Sequence, residues 1–149
     1  MPTKNEVYVK LLKDNAILPK QGSAMAAGYD LYAAIEEDID IQPGTAAKIG
    51  TGLAITPPQG YFGAIFARSG LALKNGLRPA NCIGACDWDY TGEYIVPLYN
   101  DSQEIQTIHC GDRIAQLIFL PYIQTNFIIT DELKATDRGD GGFGSTGIN

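Results

Sequence analysis

The chain has 149 residues and a mass of 16.0 kDa, the size of one ordinary domain, and its 45% hydrophobic content supports a core and excludes a mainly disordered tail. The net charge of −6 and pI of about 4.6 argue against nucleic acid as the main partner, since such binding rests on Lys/Arg clusters. A polyanionic substrate would then need a bridging metal cation. Short apolar stretches follow one another as Val7–Leu12, Ala46–Ile55, Tyr61–Ala67, Tyr94–Tyr99, Ile105–Ile108, Ile114–Ile123 and Phe127–Ile129. They are rich in Ile, Val, Tyr and Phe and are separated by Gly, Pro, Asn and Asp, which predicts strands in an all-β sandwich or barrel. Pro97 predicts an edge strand or a bulge in its stretch. One short helix is expected over Ser69–Asn75. There is no internal repeat, so a single domain is expected.

Charged residues are 19%, below the roughly 25% of an average chain, and glycines number 17, which points to tight turns and to surface buried in an oligomer. No run reaches the roughly 18 apolar residues of a membrane helix, and no membrane partner is expected. Met1 to Lys20 holds no uninterrupted apolar run ending in small residues, so no secretory signal is expected. The odd set Cys82, Cys86 and Cys110 suits a reducing compartment and a cytoplasmic location, or a host-cell cytoplasm or nucleus for a viral or phage protein. The plainest reading of these cysteines is as small buried hydrophobes.

His109 is the only histidine, which leaves a His-centred triad or a Cys/His zinc site poorly supported. Of four arginines, Arg68, Arg113 and Arg138 sit in Gly-rich contexts, where guanidinium forks and close backbone N–H groups suit phosphate. Surface salt bridging is the alternative for each. The run Arg138–Gly147 matches G-x-G-x-x-G through Gly139, Gly141 and Gly144, but no helix follows it here, and no Lys precedes Ser145-Thr146 as a Walker loop requires. It reads either as a Gly-rich tail or as a mobile arm carrying a base-stacking ring, Phe143, with phosphate donors. Carboxylate candidates are Asp30, Asp87, Asp89, Glu93 and Asp112. Asp87 and Asp89 would share a face in a strand, and a turn from Asp89 to Gly92 would break that alternation.

Five segments together resemble the trimeric deoxyuridine triphosphatase (dUTPase) family. They are Ala27-Gly28-Tyr29-Asp30-Leu31-Tyr32-Ala33-Ala34, Ala67-Arg68-Ser69-Gly70-Leu71-Ala72, Asn81 to Glu93, Gly111-Asp112-Arg113-Ile114-Ala115-Gln116-Leu117-Ile118, and Arg138 to Gly147, in family order and spacing. The resemblance implies a β jelly-roll subunit over 1–137 and a flexible arm over 138–149 that closes on a neighbouring subunit's site. It implies a homotrimer whose sites each draw on three chains, and hydrolysis of dUTP to dUMP and pyrophosphate with Mg²⁺. Such an activity keeps uracil out of DNA and supplies dUMP for dTMP synthesis.

The resemblance also assigns roles. Asp87 would activate a water for in-line attack on the α-phosphorus, and Gln116 would help hold that water. Ser69 and the backbone at Gly70 would bind phosphate oxygens, with Arg68 positioning the chain of phosphates. Asp30 would reach Mg²⁺ through water, while Asp112 and Arg113 would organise the site and the subunit interface. Tyr90 would pack on the deoxyribose and exclude a 2′-hydroxyl. Asn81 and the hairpin from Gly84 would read the uracil edge. Phe143 would stack over uracil, and Arg138, Gly144, Ser145 and Thr146 would close on the β- and γ-phosphates. Three positions depart from the family pattern: Cys86, Trp88 and Thr91, all beside the proposed base and read as changes in packing or partner surface. Two alternatives remain open here: a dCTP deaminase of the same fold, and a dUTP-gated regulatory protein that binds a protein partner.

Overall fold

Turn-forming residues cut this chain into strands too short to stand alone, so each is stabilised by the neighbours it pairs with. A computed structural model describes residues 6–142. Among these the strands are β1 (Tyr8–Leu11), β2 (Lys20–Gln21), β3 (Tyr29–Tyr32), β4 (Ile39–Ile41), β5 (Ala46–Gly50), β6 (Leu53–Thr56), β7 (Tyr61–Phe66), β8 (Leu77–Pro79), β9 (Gly84–Cys86), β10 (Ile95–Asn100), β11 (Gln106–Ile108) and β12 (Arg113–Pro121). One helix, α1, spans Ser69–Asn75, as expected. It stops at Gly76, whose φ of +65° closes the last turn through its N–H to the Ala72 carbonyl. The strands pair antiparallel in the orders β1-β6, β5-β10-β8, β11-β4 and β2-β3-β12-β7-β9, an all-β fold of the jelly-roll type.

The nine-residue β12 is the axis of the five-stranded sheet, paired with β7 on one side and β3 on the other. Its register with β3 slips between Arg113 and Ala115. In an unbroken strand, Arg113 and Gln116 would point to opposite faces. The bulge sets Arg113 opposite Tyr32 and Gln116 opposite Asp30, so both share the face that carries Asp30. Ile114, Ala115 and Leu117 are buried, and with Leu31, Ile41, Ile49, Leu53, Leu98 and Ile108 they build the core.

Several sequence expectations change in the fold. Ala46–Ile55 is two strands, because Gly52 turns with φ +66° in a space closed by the side chains of Ala16, Ala34 and Lys13. Pro97 lies in the middle strand of β5-β10-β8, not at an edge. Its carbonyl accepts from the Ala80 N–H at 2.7 Å, and the pairing with β8 ends there because proline returns no N–H, while the pairing with β5 runs on to Ile95. Phe127–Ile129 forms no strand: its residues are 93%, 82% and 98% exposed, since strand propensity has no effect without an edge to pair with. Cys82 and Cys110 are exposed rather than buried, because each falls in a turn. The strands β2, β4, β8 and β9 have two or three residues each, too few to display an alternation.

Asn100 is fully buried and uses all its hydrogen-bonding capacity. Its Nδ2 donates to the Ile41 and Glu104 carbonyls, both at 2.8 Å, and its Oδ1 accepts from the Ser102 N–H and hydroxyl at 2.9 and 2.7 Å. The Tyr94 hydroxyl is also buried and, among the described residues, makes no hydrogen bond, with only the weakly polar Cys86 thiol beside it. Removing a satisfied buried amide strands its partners, whereas removing an unpartnered hydroxyl strands nothing. Asn100→Ala is therefore expected to cost about 2–4 kcal/mol, and Tyr94→Phe to stay within about 0.5 kcal/mol. Urea midpoints of the two variants against the parent check both values.

Candidate active site

The strand β9 ends at Cys86 and the chain turns at once, the Tyr90 N–H donating to the Asp87 carbonyl at 3.1 Å. Asp87 and Asp89 therefore sit in a turn rather than on one strand face. The Tyr90 ring folds back over Gly92, where a Cβ would lie 2.5 Å from the Tyr90 hydroxyl oxygen, so a side chain at 92 would displace the ring. Asn81, Gly84, Asp87 and Tyr90 come together around one cleft of about 240 Å³. Ile65, Cys86 and Tyr94 also line it; nothing in the sequence distinguished Tyr94 from an ordinary core residue. Gly84 is buried against Ile65, so its missing side chain helps to keep the cleft open. The hairpin entering β9 holds Cys82 at φ +63°, a left-handed conformation uncommon for a non-glycine residue. Complete ligand sites commonly run to ~300–1,000 Å³, so this cleft suits one part of a ligand.

A second cluster forms at the other end of β7. The Asp30 carboxylate on β3 accepts from Arg68 Nε at 2.8 Å and faces Arg113 Nη1 at 3.4 Å. The bulge in β12 brings Arg113 to this carboxylate. Gln116 Nε2 donates to the Ala67 carbonyl at 2.8 Å, and its Oε1 fills the space where a side chain on Gly28 would stand. Ser69 and Gly70, exposed at the start of α1, follow Arg68 directly. Asp112 holds the turn before β12, its carboxylate accepting from the His109 N–H at 2.8 Å and its carbonyl from the Ala33 N–H at 2.8 Å. His109 pairs with Asp38 at 2.8 Å, and this contact raises its pKa.

The two groups do not meet within one chain. Cys86 pairs with Gly63 of β7, while Gln116 of β12 pairs with Phe66. That is about 10 Å along β7 and about 10 Å across two strand spacings, and Asp87 lies one residue further away. Arg138 stands apart from both groups, exposed, its Nε donating to the Gly141 carbonyl at 2.8 Å. Phe143, Gly144, Ser145 and Thr146 lie outside the described residues.

Burial pushes the Cys86 thiol up to about 11, and the neighbouring Asp87 charge adds to this. Burial likewise raises the Tyr94 phenol well above its ordinary range, with Cys86 contributing. The thiolate is the nucleophile, so Cys86 stays protonated and unreactive at neutral pH. Its alkylation by iodoacetamide, read by peptide mapping, is expected to rise about tenfold per pH unit from pH 8 towards its pKa. A plateau near pH 9 would mean an ordinary exposed thiol.

The dUTPase family model matches residues 14–147. A deoxyuridine 5'-triphosphate nucleotidohydrolase from Desulfitobacterium hafniense is 47% identical over 150 residues, which cover 97% of this chain and 99% of that protein. The protein of that name from Ehrlichia canis is 42% identical over 153 residues, covering 99% and 100%. Among solved structures, a Staphylococcus bacteriophage 80alpha dUTPase variant with dUpNHpp matches with a TM-score of 0.85 at 28% identity, covering 97% of this chain and 100% of that one. A further 80alpha dUTPase structure with the same TM-score and 29% identity, covering 97% and 100%, is described in terms of phage dUTPases controlling transfer of virulence genes by a proto-oncogenic G protein-like mechanism. A dUTPase variant from phage phi11 of S. aureus, described with a coordinated structural Mg(II) ion, has a TM-score of 0.76 at 27% identity, covering 86% and 98%. With one model spanning nearly the whole chain and relatives this close over their full length, the chain belongs to the dUTPase family.

Proposed function

We propose that this chain hydrolyses dUTP to dUMP and pyrophosphate, in sites shared between the copies of a homotrimer. The observation that carries this reading is the convergence of Asn81, Gly84, Asp87 and Tyr90 on one small cleft. The cleft takes the nucleoside. Asn81 and the hairpin backbone from Gly84 read the uracil edge, and Tyr90 lies against the deoxyribose where a 2′-hydroxyl would clash. Asp87, in the turn beside it, takes a proton from the water that attacks the α-phosphorus. Arg68, Ser69 and Gly70 bind and position the phosphates, and Gln116 orients the water. Because Asp87 and Gln116 are held apart in one chain, the second group comes from a neighbouring copy. The exposed apolar side chains of Ile123, Phe127, Ile128, Ile129 and Leu133 are a surface for such a copy to cover. On this reading residues 1–137 form the β domain. Residues 138–149 form the arm that closes over a neighbour's site, with Arg138, Gly144, Ser145 and Thr146 on the phosphates and Phe143 on the base.

Among the described residues no three His, Cys, Asp or Glu side chains gather into a metal cage. The Asp30 carboxylate already faces two guanidinium groups. This donor set fits a hydrated Mg²⁺ held mainly by the substrate's phosphates, with Asp30 contacting it through water. Bound in that way, the ion would supply neutralisation of the phosphate charge that a chain of net charge −6 does not supply itself. The steps left to the protein are to hold the base, exclude the 2′-hydroxyl, orient the water and accept its proton at Asp87.

Among the described residues no helix is long and apolar enough to cross a membrane, and a cytoplasmic location is part of this proposal. A second reading, control of a protein partner by dUTP, is favoured by Trp88, 46% exposed beside Asp87, and by the likeness to the phage enzymes. Partner capture that requires a non-hydrolysable dUTP analogue and is lost in Trp88→Ala supports it; capture independent of both removes it.

Pyrophosphate release from dUTP, dCTP, dTTP and UTP tests the main reading. Release from dUTP alone is expected, and ammonia release from dCTP would instead identify a deaminase. Asp87→Asn is expected to lower kcat by ~10²–10⁴ while retaining dUTP binding, the usual contribution of a general base. A variant with near-normal kcat would remove Asp87 from that role.

A further inference from the structure

The Tyr90 ring is held from three sides. It folds over Gly92, it stacks on the buried Tyr94 with centroids 6.3 Å apart and planes 29° apart, and its hydroxyl donates to the Glu93 carbonyl at 2.9 Å. Glu93 lines the cleft beside Tyr90, and its carboxylate reaches into the turn between β5 and β6. Its Oε1 accepts from the Gly52 N–H at 2.8 Å. It occupies the notch left by Gly50, where a Cβ would stand 2.6 Å from that oxygen. Lys13 Nζ lies 3.9 Å from the same oxygen and donates to the Ala34 carbonyl at 2.8 Å. The Glu93 side chain is only 24% exposed, so the pairing is screened less than on an open surface. The Tyr94 backbone is fixed to the same turn, its N–H donating to the Leu53 carbonyl at 2.7 Å and its carbonyl accepting from the Thr51 hydroxyl at 2.6 Å. Residues 90–94 are therefore fastened to residues 50–53, and Glu93 is the side chain that fastens the part bearing the Tyr90 hydrogen bond.

We propose that Glu93 is a positioning residue for sugar selectivity. By binding the Gly52 N–H and Lys13 it fixes its own carbonyl, which in turn fixes the Tyr90 ring that excludes ribose. This rests on the assignment of Tyr90 to the sugar. The Glu93 carboxylate is taken up by the Gly52 N–H and Lys13, so its effect passes through Tyr90. Glutamine in its place keeps an Oε1 acceptor for the Gly52 N–H and loses only the charge towards Lys13. Alanine loses both.

The test compares the ratio of kcat/KM for dUTP over UTP in the parent, Glu93→Ala, Glu93→Gln, Lys13→Ala and Tyr90→Ala, with thermal melts run on each. A merely structural role would lower the melt and both rates together and leave the ratio unchanged. In Glu93→Ala the ratio is expected to fall by about tenfold, the effect of one lost hydrogen bond to a charged group passed to the sugar contact. Glu93→Gln is expected to stay within about threefold of the parent, and Lys13→Ala to fall in between. Tyr90→Ala sets the full loss of selectivity. An unchanged ratio in Glu93→Ala beside a collapsed ratio in Tyr90→Ala overturns the role of Glu93 and leaves Tyr90 in place. An unchanged ratio in Tyr90→Ala overturns both. Should Glu93→Ala fail to fold, a parental ratio in Lys13→Ala together with a parental ratio in Gly92→Ala, which displaces the Tyr90 ring, overturns the proposal.

Discussion

A pleated sheet fixes the distance between the side chains it carries, and here that rigidity separates the chemistry. In the order β3-β12-β7-β9, the Asp30, Arg113 and Gln116 cluster sits where β3 and β12 pair, and Asp87 hangs off the far end of β9. About 3.3 Å per residue and about 4.8 Å per strand leave Gln116 and Cys86 roughly 14 Å apart, with Asp87 further still. A water hydrogen-bonded to two groups spans about 5.6 Å between them. No rotamer closes the remainder, so on the proposed function a single copy holds two half-sites. A second copy, arranged head to tail around a closed ring, would set the β9 end of one chain against the β12 face of the next.

The half-sites are built by local exceptions to regular structure. The bulge in β12 turns two residues at odd spacing onto one face, and without it Arg113 would point away from Asp30. Gly28 and Gly92 leave the space that Gln116 and Tyr90 fill. Around the proposed base, Cys86 and Trp88 occupy distinct positions. Cys86 faces the interior beside Tyr94 and Gly63, and Trp88 faces solvent. The first alters packing and the second alters surface, while Asp87 keeps its place in the turn between them.

The strands with five or more residues were legible because apolar runs and flanking turn signals survive in them, as in Tyr61–Phe66 and Arg113–Pro121. Of those with two or three residues only β11 was, within Ile105–Ile108; for the others a period of two needs more positions than a segment such as Gly84-Ala85-Cys86 provides. Phe127–Ile129 shows the converse: the composition of a strand with no edge beside it. The residues of the site were legible as motifs, since Gly, Arg and Asp at fixed spacing carry the resemblance. Their division into two groups was not, because it depends on strand order, and strand order is set by long-range pairing. The anchoring contacts of Glu93 and Tyr94 were hidden for the same reason, as their partners Gly52, Lys13 and Thr51 lie some forty or more positions earlier in the chain.

The claim that one active site needs two copies is tested most directly by mixing two inactive chains. One carries Asp87→Asn; the other carries Arg68→Ala with Gln116→Ala. They are unfolded together one-to-one and refolded, and hybrid trimers are confirmed by native mass spectrometry. In a random hybrid a site is intact when its Asp87 comes from the second chain and its Arg68 and Gln116 from the first. These are independent choices at different subunits, so about a quarter of the sites recover under threefold symmetry. Recovery of dUTP hydrolysis to about that fraction is the result this account predicts. Hydrolysis that stays at the level of the two parents in confirmed hybrids would contradict it.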